Sequence, residues 1–171
     1  MKNVLTVMGC LVFVAALAAP AAAGSGATSP KTAFAAALPH YEAIHRALAG
    51  DTLDGVAGHA RAIREVARKT AAEFSPAGAG VPAAKAQECR ALLPDVERAA
   101  DRLAGAKSLD EARKAFGQLS QPMVRYREMT TGERPYVVFC PMAKKPWLQE
   151  SKKIANPYLG SKMLQCGKIV S

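Results

Sequence analysis

DTLDGVAGHARAIREVARKTAAEF, residues 51–74, decides the fold, because its apolar and small side chains recur every three or four positions. This period places them on one face of an α-helix and leaves the charged residues on the other face. Asp51 precedes the stripe and can cap the N-terminus of the helix. The stretch therefore predicts a long amphipathic helix that buries one face: Leu53, Val56, Ala60, Ile63, Ala67, Thr70 and Phe74.

Three more segments on either side of this stretch show the same helical period. One runs from Phe34 to Gly50, one spans about 83–103, and one opens with the capping-box sequence of residues 108–111 and continues to Tyr126. A loop rich in proline and glycine, residues 75–82, separates the second helix from the third. Four amphipathic helices with short connections predict an all-α fold, an antiparallel up-down four-helix bundle over about residues 32–130.

Residues 131–171 have a different character, because helical periodicity stops and prolines and aromatic residues appear. Residues 136–139 could form a short extended piece. We expect an irregular tail that contains cysteine and methionine and packs on the bundle, so that residues 32–171 form a single domain.

The N-terminus resembles a secretion signal. A lysine at position 2 precedes an apolar run, and Ala21–Ala23 offers a cleavage site before Gly24. We therefore expect residues 1–23 to be a signal peptide, residues 24–31 a flexible leader, and the mature protein to be periplasmic without a membrane span. A retained anchor and lipidation at Cys10 are the alternatives.

Charge and cysteine content narrow the classes of function. The whole chain carries a formal net charge of +9, but its basic residues recur along the predicted helices, where a solvated polar face explains them. Export and the lack of aromatic residues among these charges argue against nucleic-acid binding. After cleavage Cys89, Cys140 and Cys166 remain, an odd number, so at least one is free, buried or a ligand.

The tail and two helical segments contain motifs of a known kind. They are Cys140-Pro141-Met142, Trp147-Leu148 and residues 154–167 (IANPYLGSKMLQCG), together with residues 47–53 (ALAGDTL) and 112–120 (ARKAFGQLS). Taken together, these motifs resemble the DUF3347 domain family. The resemblance covers roughly Pro39 to Val170. Two positions depart from the family pattern: Lys144-Lys145, where polar or acidic residues and a glycine are common, and Leu159, where a second aromatic residue is common.

The resemblance implies association with copper or related heavy metals. Domains of this family occur alone or appended to periplasmic adaptor subunits of heavy-metal efflux pumps. A metal ion, and an efflux adaptor or another envelope protein, are therefore the expected partners.

The residues themselves offer two interpretations of the tail. Cys140 with Met142 and Met163 with Cys166 place two thiols and two thioethers in two short segments, and soft sulfur ligands select Cu(I). The alternative is a Cys140–Cys166 disulfide that stabilises the tail by about 3 kcal/mol, with the two methionines filling gaps in the core.

Other side chains are candidates for supporting roles. Trp147 could cover the ion or could anchor the tail on the bundle, and His40 or His45 could add a ligand if the tail packs nearby. His40 and His45 do not share a helix face. Asn156, Pro157, Tyr158 and Gly160 are expected to shape a turn, and Cys89 to be a buried apolar residue.

Catalysis is not expected. The sequence contains no Cys-x-x-Cys, His-Glu-x-x-His or Gly-x-Ser-x-Gly motif and no phosphate-binding glycine loop. The sequence therefore favours a binding protein or an adaptor and not an enzyme.

Overall fold

The structure, a computed structural model, describes residues 32–132 and 134–171. The expected signal peptide, the flexible leader and Cys10 lie outside the described residues. None of the helices in the described part combines the length and the apolar character that crossing a membrane would need.

The described residues are mostly helical. The helices are α1 (Ala33–Ala49), α2 (Val56–Ala72), α3 (Pro76–Ala79), α4 (Ala86–Ala104) and α5 (Leu109–Met129). The short α3 lies in the segment predicted as a plain loop, and Ser75 caps it by accepting a hydrogen bond from the amide of Gly78. The four long helices coincide with the four periodic segments of the sequence.

Helix α2 packs against both α1 and α4, and α4 packs against α5. Their apolar stripes meet in a core that includes Ile44, Ile63, Leu93, Leu103 and Phe116, none of which is exposed to solvent. A helical core is therefore confirmed.

The predicted cap of α2 is wrong. Gly55, in a left-handed conformation with φ of 75°, precedes the first residue of the helix, and Asp51 lies four residues further upstream. The carboxylate of Asp51 accepts hydrogen bonds from Arg113 and from the amide of Ser161 instead. The local sequence predicted a helix cap, but the Asp51 side chain instead binds partners that are distant in sequence.

The fold prediction is correct only in part: the extended piece predicted at residues 136–139 is confirmed as a strand, but the tail is not irregular and the chain is not all-α. The tail contains an antiparallel three-stranded sheet of order β2-β1-β3, formed by β1 (Tyr136–Cys140), β2 (Lys145–Gln149) and β3 (Lys168–Ile169). β1 is a run of aromatic and β-branched residues that ends in Cys140, a composition that suits a pleated strand. A four-residue turn returns the chain to β2, so that Cys140 lies opposite Lys145 and Val138 lies opposite Trp147.

The sheet is fixed to the helices through buried polar contacts. Strand β2 lies on α5 and contacts α1. The hydroxyl of Tyr41 accepts a hydrogen bond from the amide of Leu148 over 3.2 Å and lies 2.6 Å from the hydroxyl of Ser120. The carboxylate of Glu42 accepts a hydrogen bond from the amide of Glu150 over 2.8 Å. These buried hydrogen bonds fix the position of β2, because an unpaired polar group there would cost about 1–3 kcal/mol.

A second attachment joins the turn after β2 to the helices. Arg113 binds Asp51 and donates hydrogen bonds to the carbonyl oxygens of Leu48 and Pro157. Gly160 has a φ of +56°, and a Cβ at this position would lie 1.9 Å from the Asp51 carboxylate. Only glycine therefore fits here. We call the contacts among Asp51, Arg113 and residues 157–161 the clamp.

Hydrogen bonds from Ser161 and then from Arg113 lower the pKa of Asp51 to about 2. The carboxylate is therefore ionised over the whole physiological pH range. The clamp also joins three of the five sequence segments that carry the resemblance, because residues 47–53 supply Asp51, residues 112–120 supply Arg113 and residues 154–167 supply the turn.

Candidate metal centre

The structure brings the two tail cysteines together. Cys140 ends β1, and Cys166 follows a short 3-10 helix, Gly160–Met163, where its amide donates to the Met163 carbonyl over 2.9 Å. The two Sγ atoms lie 3.5 Å apart. Cys140 is buried, whereas Cys166 is partly exposed. Two thiols from distant parts of the tail thus form one pair with one accessible member.

The two thiols differ in their electrostatic environment. Burial alone would raise the pKa of Cys140, but hydrogen bonds from the amide of Ala143 and from Asn156, together with weaker contributions of Cys166 and Met142, lower it below its usual range. The Ala143 amide lies 3.3 Å from the sulfur. The hydrogen bond with Cys140, followed by burial, raises the pKa of Cys166. The pair therefore favours a thiolate on Cys140 and a proton on Cys166.

Asn156 connects this pair to the preceding turn. Its side-chain oxygen accepts hydrogen bonds from the amides of Tyr158 and Leu159, over 2.8 and 3.1 Å. Its side-chain nitrogen donates to the carbonyl of Cys166, and its amide donates to the carbonyl of Leu164 over 2.6 Å. The residue expected only to shape a turn also positions Cys166, a role that requires contacts ten residues away in sequence.

The two predicted thioether ligands lie at the surface. Met142 is 67% exposed and Met163 is 44% exposed. Each is within three residues of one thiol of the pair. The alternative that these methionines fill gaps in the core is therefore wrong.

Trp147 is completely buried. The prediction that its ring covers an ion at the surface is therefore wrong. Its indole nitrogen donates to Gln149 over 3.0 Å, and its ring contacts Tyr158 edge-on with centroids 5.9 Å apart. The backbone of Gly167 lies directly on the indole, because a Cβ there would be 2.7 Å from Cη2. The indole of Trp147 thus packs against the backbone of Gly167, the residue that follows Cys166.

His45 is not available as a ligand, which corrects a second prediction. Its Nε2 lies 2.6 Å from the carbonyl oxygen of Ala155, an atom that only accepts, so this nitrogen carries a proton. Its Nδ1 lies 3.3 Å from the Glu42 carboxylate. The ring is buried and stacks on Trp147 with centroids 6.4 Å apart. Both ring nitrogens of His45 are thus occupied by contacts with Ala155 and Glu42, and the side chain holds the tail in place.

His40 has a partner other than the sulfur pair. Its Nδ1 lies 3.0 Å from Nδ1 of His59, a contact that joins α1 to α2. Burial, and then the neighbouring His59, lower the pKa of His40. His40 makes no contact with the tail cysteines in the described part of the chain. Its role as an additional ligand is still only a prediction.

The third cysteine belongs to the core. Cys89 in α4 is fully buried. Burial raises its pKa, although a hydrogen bond with Tyr126 opposes the shift. A protonated, inaccessible thiol is chemically inert, so Cys89 plays no part in the surface chemistry of the tail.

The basic residues were expected to form the polar faces of the helices, but the excess of positive charge lies in the tail. Residues 32–132 contain fourteen basic and twelve acidic residues, so the helical part is nearly balanced. Residues 136–171 contain six lysines and one acidic residue, Glu150. The positive charge is therefore concentrated in the tail that carries the sulfur pair, and counting charges by region would have shown this from the sequence.

Within residues 32–132 and 134–171, no group of three or more His, Cys, Asp or Glu side chains is arranged to hold one metal ion. The donors that the structure brings together are the two thiols. No protein-family model matches the chain, and neither a curated protein nor a solved structure matches it. The resemblance to DUF3347 domains therefore stays a prediction.

Proposed function

We propose that this protein binds soft metal ions of the copper class in the periplasm, as a metallochaperone or as an accessory to heavy-metal efflux. The ion is held by Cys140 and Cys166, with Met142 and Met163 as further donors. The observation that carries this proposal is the 3.5 Å separation of the two thiol sulfurs. Thiolate and thioether sulfur favours Cu(I) over hard cations.

The sulfur separation favours a coordination number above two for the proposed ion. With metal–sulfur bonds of about 2.3 Å, two sulfurs 3.5 Å apart subtend an angle of about 100° at the ion. A linear two-coordinate ion would need the sulfurs about 4.6 Å apart, and the thiols would have to separate by roughly 1 Å. The existing geometry thus suits three or four ligands, which is why we assign the exposed thioethers as further donors.

The charge balance also supports an ion at this position. A Cu(I) ion on two thiolates leaves one net negative charge, which the surrounding lysines stabilise. Lys144 and Lys145, which would repel a bare cation, therefore favour the loaded site. We further propose that the four long helices form an antiparallel up-down bundle that carries the site on its attached sheet.

The same sulfur separation supports a second candidate function. Cys140 and Cys166 would need to approach by only about 1.5 Å to form a disulfide. The protein would then be a disulfide-stapled adaptor of the cell envelope. In both cases we propose a binding protein and not an enzyme.

A competition titration tests the proposal. Reduced protein is titrated with Cu(I) against a chelator of known affinity, next to a Cys140→Ser/Cys166→Ser variant and a Cys89→Ser control. We expect the double variant to lose at least two orders of magnitude in affinity, about 3 kcal/mol, and the control to bind normally. Equal affinity of wild type and double variant would contradict the proposal.

Counting thiols in freshly isolated, denatured protein separates the two candidates. An obligate disulfide leaves one reactive thiol, Cys89, whereas ligand thiols give three after metal removal. One thiol, returning to three only after a reductant is added, would favour the adaptor.

A further inference from the structure

All large apolar side chains that are exposed in the described part of the chain lie in the tail: Met142, Met163, Leu164, Ile169 and Val170. The first three are within three residues of Cys140 or Cys166. Exposed apolar groups gathered around one site mark a contact surface more often than scattered ones do. The helical part, by contrast, buries its large apolar residues.

Three exposed lysines lie within four residues of the same thiols along the chain. Lys144 lies in the turn after Cys140, Lys162 lies in the 3-10 helix before Cys166, and Lys168 follows Cys166 in β3. We call the surface formed by Cys166, these three lysines and Met142, Met163 and Leu164 the sulfur face.

None of the described residues of the tail places a carboxylate side chain close to the sulfur face. Glu150, the one acidic residue in 136–171, follows the end of β2 that is remote from Cys140. Four residue steps along the strand separate the two ends by roughly 13 Å, which exceeds the screening length of about 8 Å at physiological ionic strength. The helices bring one carboxylate next to Lys162, that of Asp51 on the amide of Ser161, and its charge is paired with Arg113. The lysines therefore leave the sulfur face with a net positive potential.

We infer that the sulfur face docks an acidic protein partner, which places thioether and other apolar side chains against Met142, Met163 and Leu164 and exchanges the soft ion through Cys166. This inference rests on the proposed function. Complementary charge favours such a partner, because it raises the rate of encounter and fixes the orientation of docking. The partially exposed Cys166 is the thiol through which the ion passes, since Cys140 is buried.

A protein occupant fits the site better than an anionic membrane surface does. An ion that leaves two thiolates needs soft donors on the receiving side. Lipid headgroups present phosphate and carboxylate oxygens, which are hard donors. The apolar side chains of the sulfur face match thioether and aliphatic groups on a protein.

The test measures Cu(I) transfer to the full mature protein from two synthetic donor peptides. Both carry the same methionine ligands, one flanked by aspartate and glutamate, the other by lysine. At low salt we expect transfer from the acidic peptide to be at least about tenfold faster, and this advantage to disappear at high salt. The Lys144→Gln/Lys162→Gln/Lys168→Gln variant should lose most of the advantage.

The matched control is Lys69→Gln/Lys85→Gln/Lys107→Gln, which removes the same charge from exposed lysines of the helical part. We expect it to keep the advantage of the acidic donor. Equal transfer rates from both peptides, or equal losses in the two triple variants, would overturn the inference.

A reaction without metal keeps this test separate from the proposed function. The reaction is run in a Cys140→Ser background, so that no neighbouring thiolate can displace the bound reagent. The Cys166 thiol gives its proton to the buffer, and its thiolate attacks a dianionic aromatic disulfide or dicationic cystamine, forming a mixed disulfide and releasing one thiolate of the reagent. The aromatic thiolate is the better leaving group whatever the charges, so the readout is the change in the ratio of the two rates. We expect the ratio of the dianionic to the dicationic rate to fall several-fold at high salt, and to fall by a similar factor at low salt in the Lys144/Lys162/Lys168 variant. If the protein binds no Cu(I) but keeps this preference, the proposed function and the ion exchange both fail while the acid-selective surface stands.

Vesicles of phosphatidylglycerol and phosphatidylethanolamine provide the last comparison. Under the inference they neither sediment the protein nor protect Cys166 from the disulfide reagents at physiological salt. Sedimentation that depends on Lys144, Lys162 and Lys168 would overturn the inference in favour of a membrane surface.

Discussion

Replacement of Gly167 by alanine tests how the position of Cys166 is fixed. Gly167 follows Cys166 directly and lies on the indole of the buried Trp147. An added Cβ would lie 2.7 Å from Cη2 of this ring and 3.0 Å from Cγ1 of Val138. Neither atom can move away easily, because both belong to fully buried side chains.

The size of the effect follows from these distances. Carbon atoms in ordinary contact are separated by about 3.5–4.0 Å, so the chain at residue 167 must move outward by roughly 0.8 Å or more. Overpacking of this kind costs about 1–3 kcal/mol. If Cys166 moves with its neighbour, the sulfur separation changes from 3.5 Å to at most about 4.3 Å, the value for a displacement directly away from Cys140. We then expect Cu(I) affinity to fall by up to about tenfold, or 1.4 kcal/mol.

Urea unfolding gives the stability difference, and competition with a Cu(I) chelator gives the affinity. The fluorescence of Trp147, the single tryptophan of the chain, reports on the tail in the same samples. Because the ring is fully buried, a shift of its emission toward longer wavelength indicates that residues 166 and 167 have moved away and exposed the indole to water.

Gly58→Ala is the matched control. Gly58 lies inside α2, and a Cβ there meets no atom within 4 Å. Alanine at this position should stabilise the helix by up to about 1 kcal/mol, the opposite sign to Gly167→Ala, and leave Cu(I) affinity unchanged. A Gly167→Ala protein with wild-type stability and affinity would refute the idea that this close contact positions Cys166.

Three further predictions concern the clamp, the buried histidine and the thioethers. Because the pKa of Asp51 is about 2, below its ordinary value, the clamp contributes stability that is complete above about pH 4 and is lost as pH falls toward 2. Urea unfolding of Asp51→Asn should therefore show a weaker dependence on pH over this interval, and an unchanged dependence would contradict the clamp. His45→Leu leaves the Glu42 carboxylate and a backbone carbonyl without their buried partner and should lower the free energy of unfolding by about 2–4 kcal/mol, whereas a loss below 1 kcal/mol in urea unfolding would argue against these contacts. Met142→Leu/Met163→Leu should change stability by less than about 0.5 kcal/mol, since both side chains are exposed, but should weaken Cu(I) binding about tenfold. Unchanged affinity in the chelator titration would remove the thioethers from the site.

The helices could be predicted from the sequence, because a stripe of apolar residues repeated over fifteen or more positions outweighs local exceptions. The sheet was harder to predict. Its strands have five, five and two residues, and such short apolar runs do not distinguish a strand from an irregular segment. β3 in particular exists only because β1 offers a free edge at Val138 and Phe139.

The candidate site could be predicted only in part. The residue types of Cys140 and Cys166 indicate soft-ligand chemistry, but only coordinates give the distance between their sulfurs. The role of His45 depends on Ala155, 110 residues away, and that of Asp51 depends on Arg113, 62 residues away. Neither partner leaves a signal in the local sequence, which is why a ligand and a helix cap were predicted at these positions.

X-ray absorption at the copper edge of Cu(I)-loaded protein tests the central claim most directly. The account predicts a shell of three or four sulfur atoms at about 2.3 Å, reduced by two sulfurs in Cys140→Ser/Cys166→Ser and by at least one in Met142→Leu/Met163→Leu. A shell dominated by nitrogen or oxygen, or a shell that is the same in wild type and in the double cysteine variant, would contradict it.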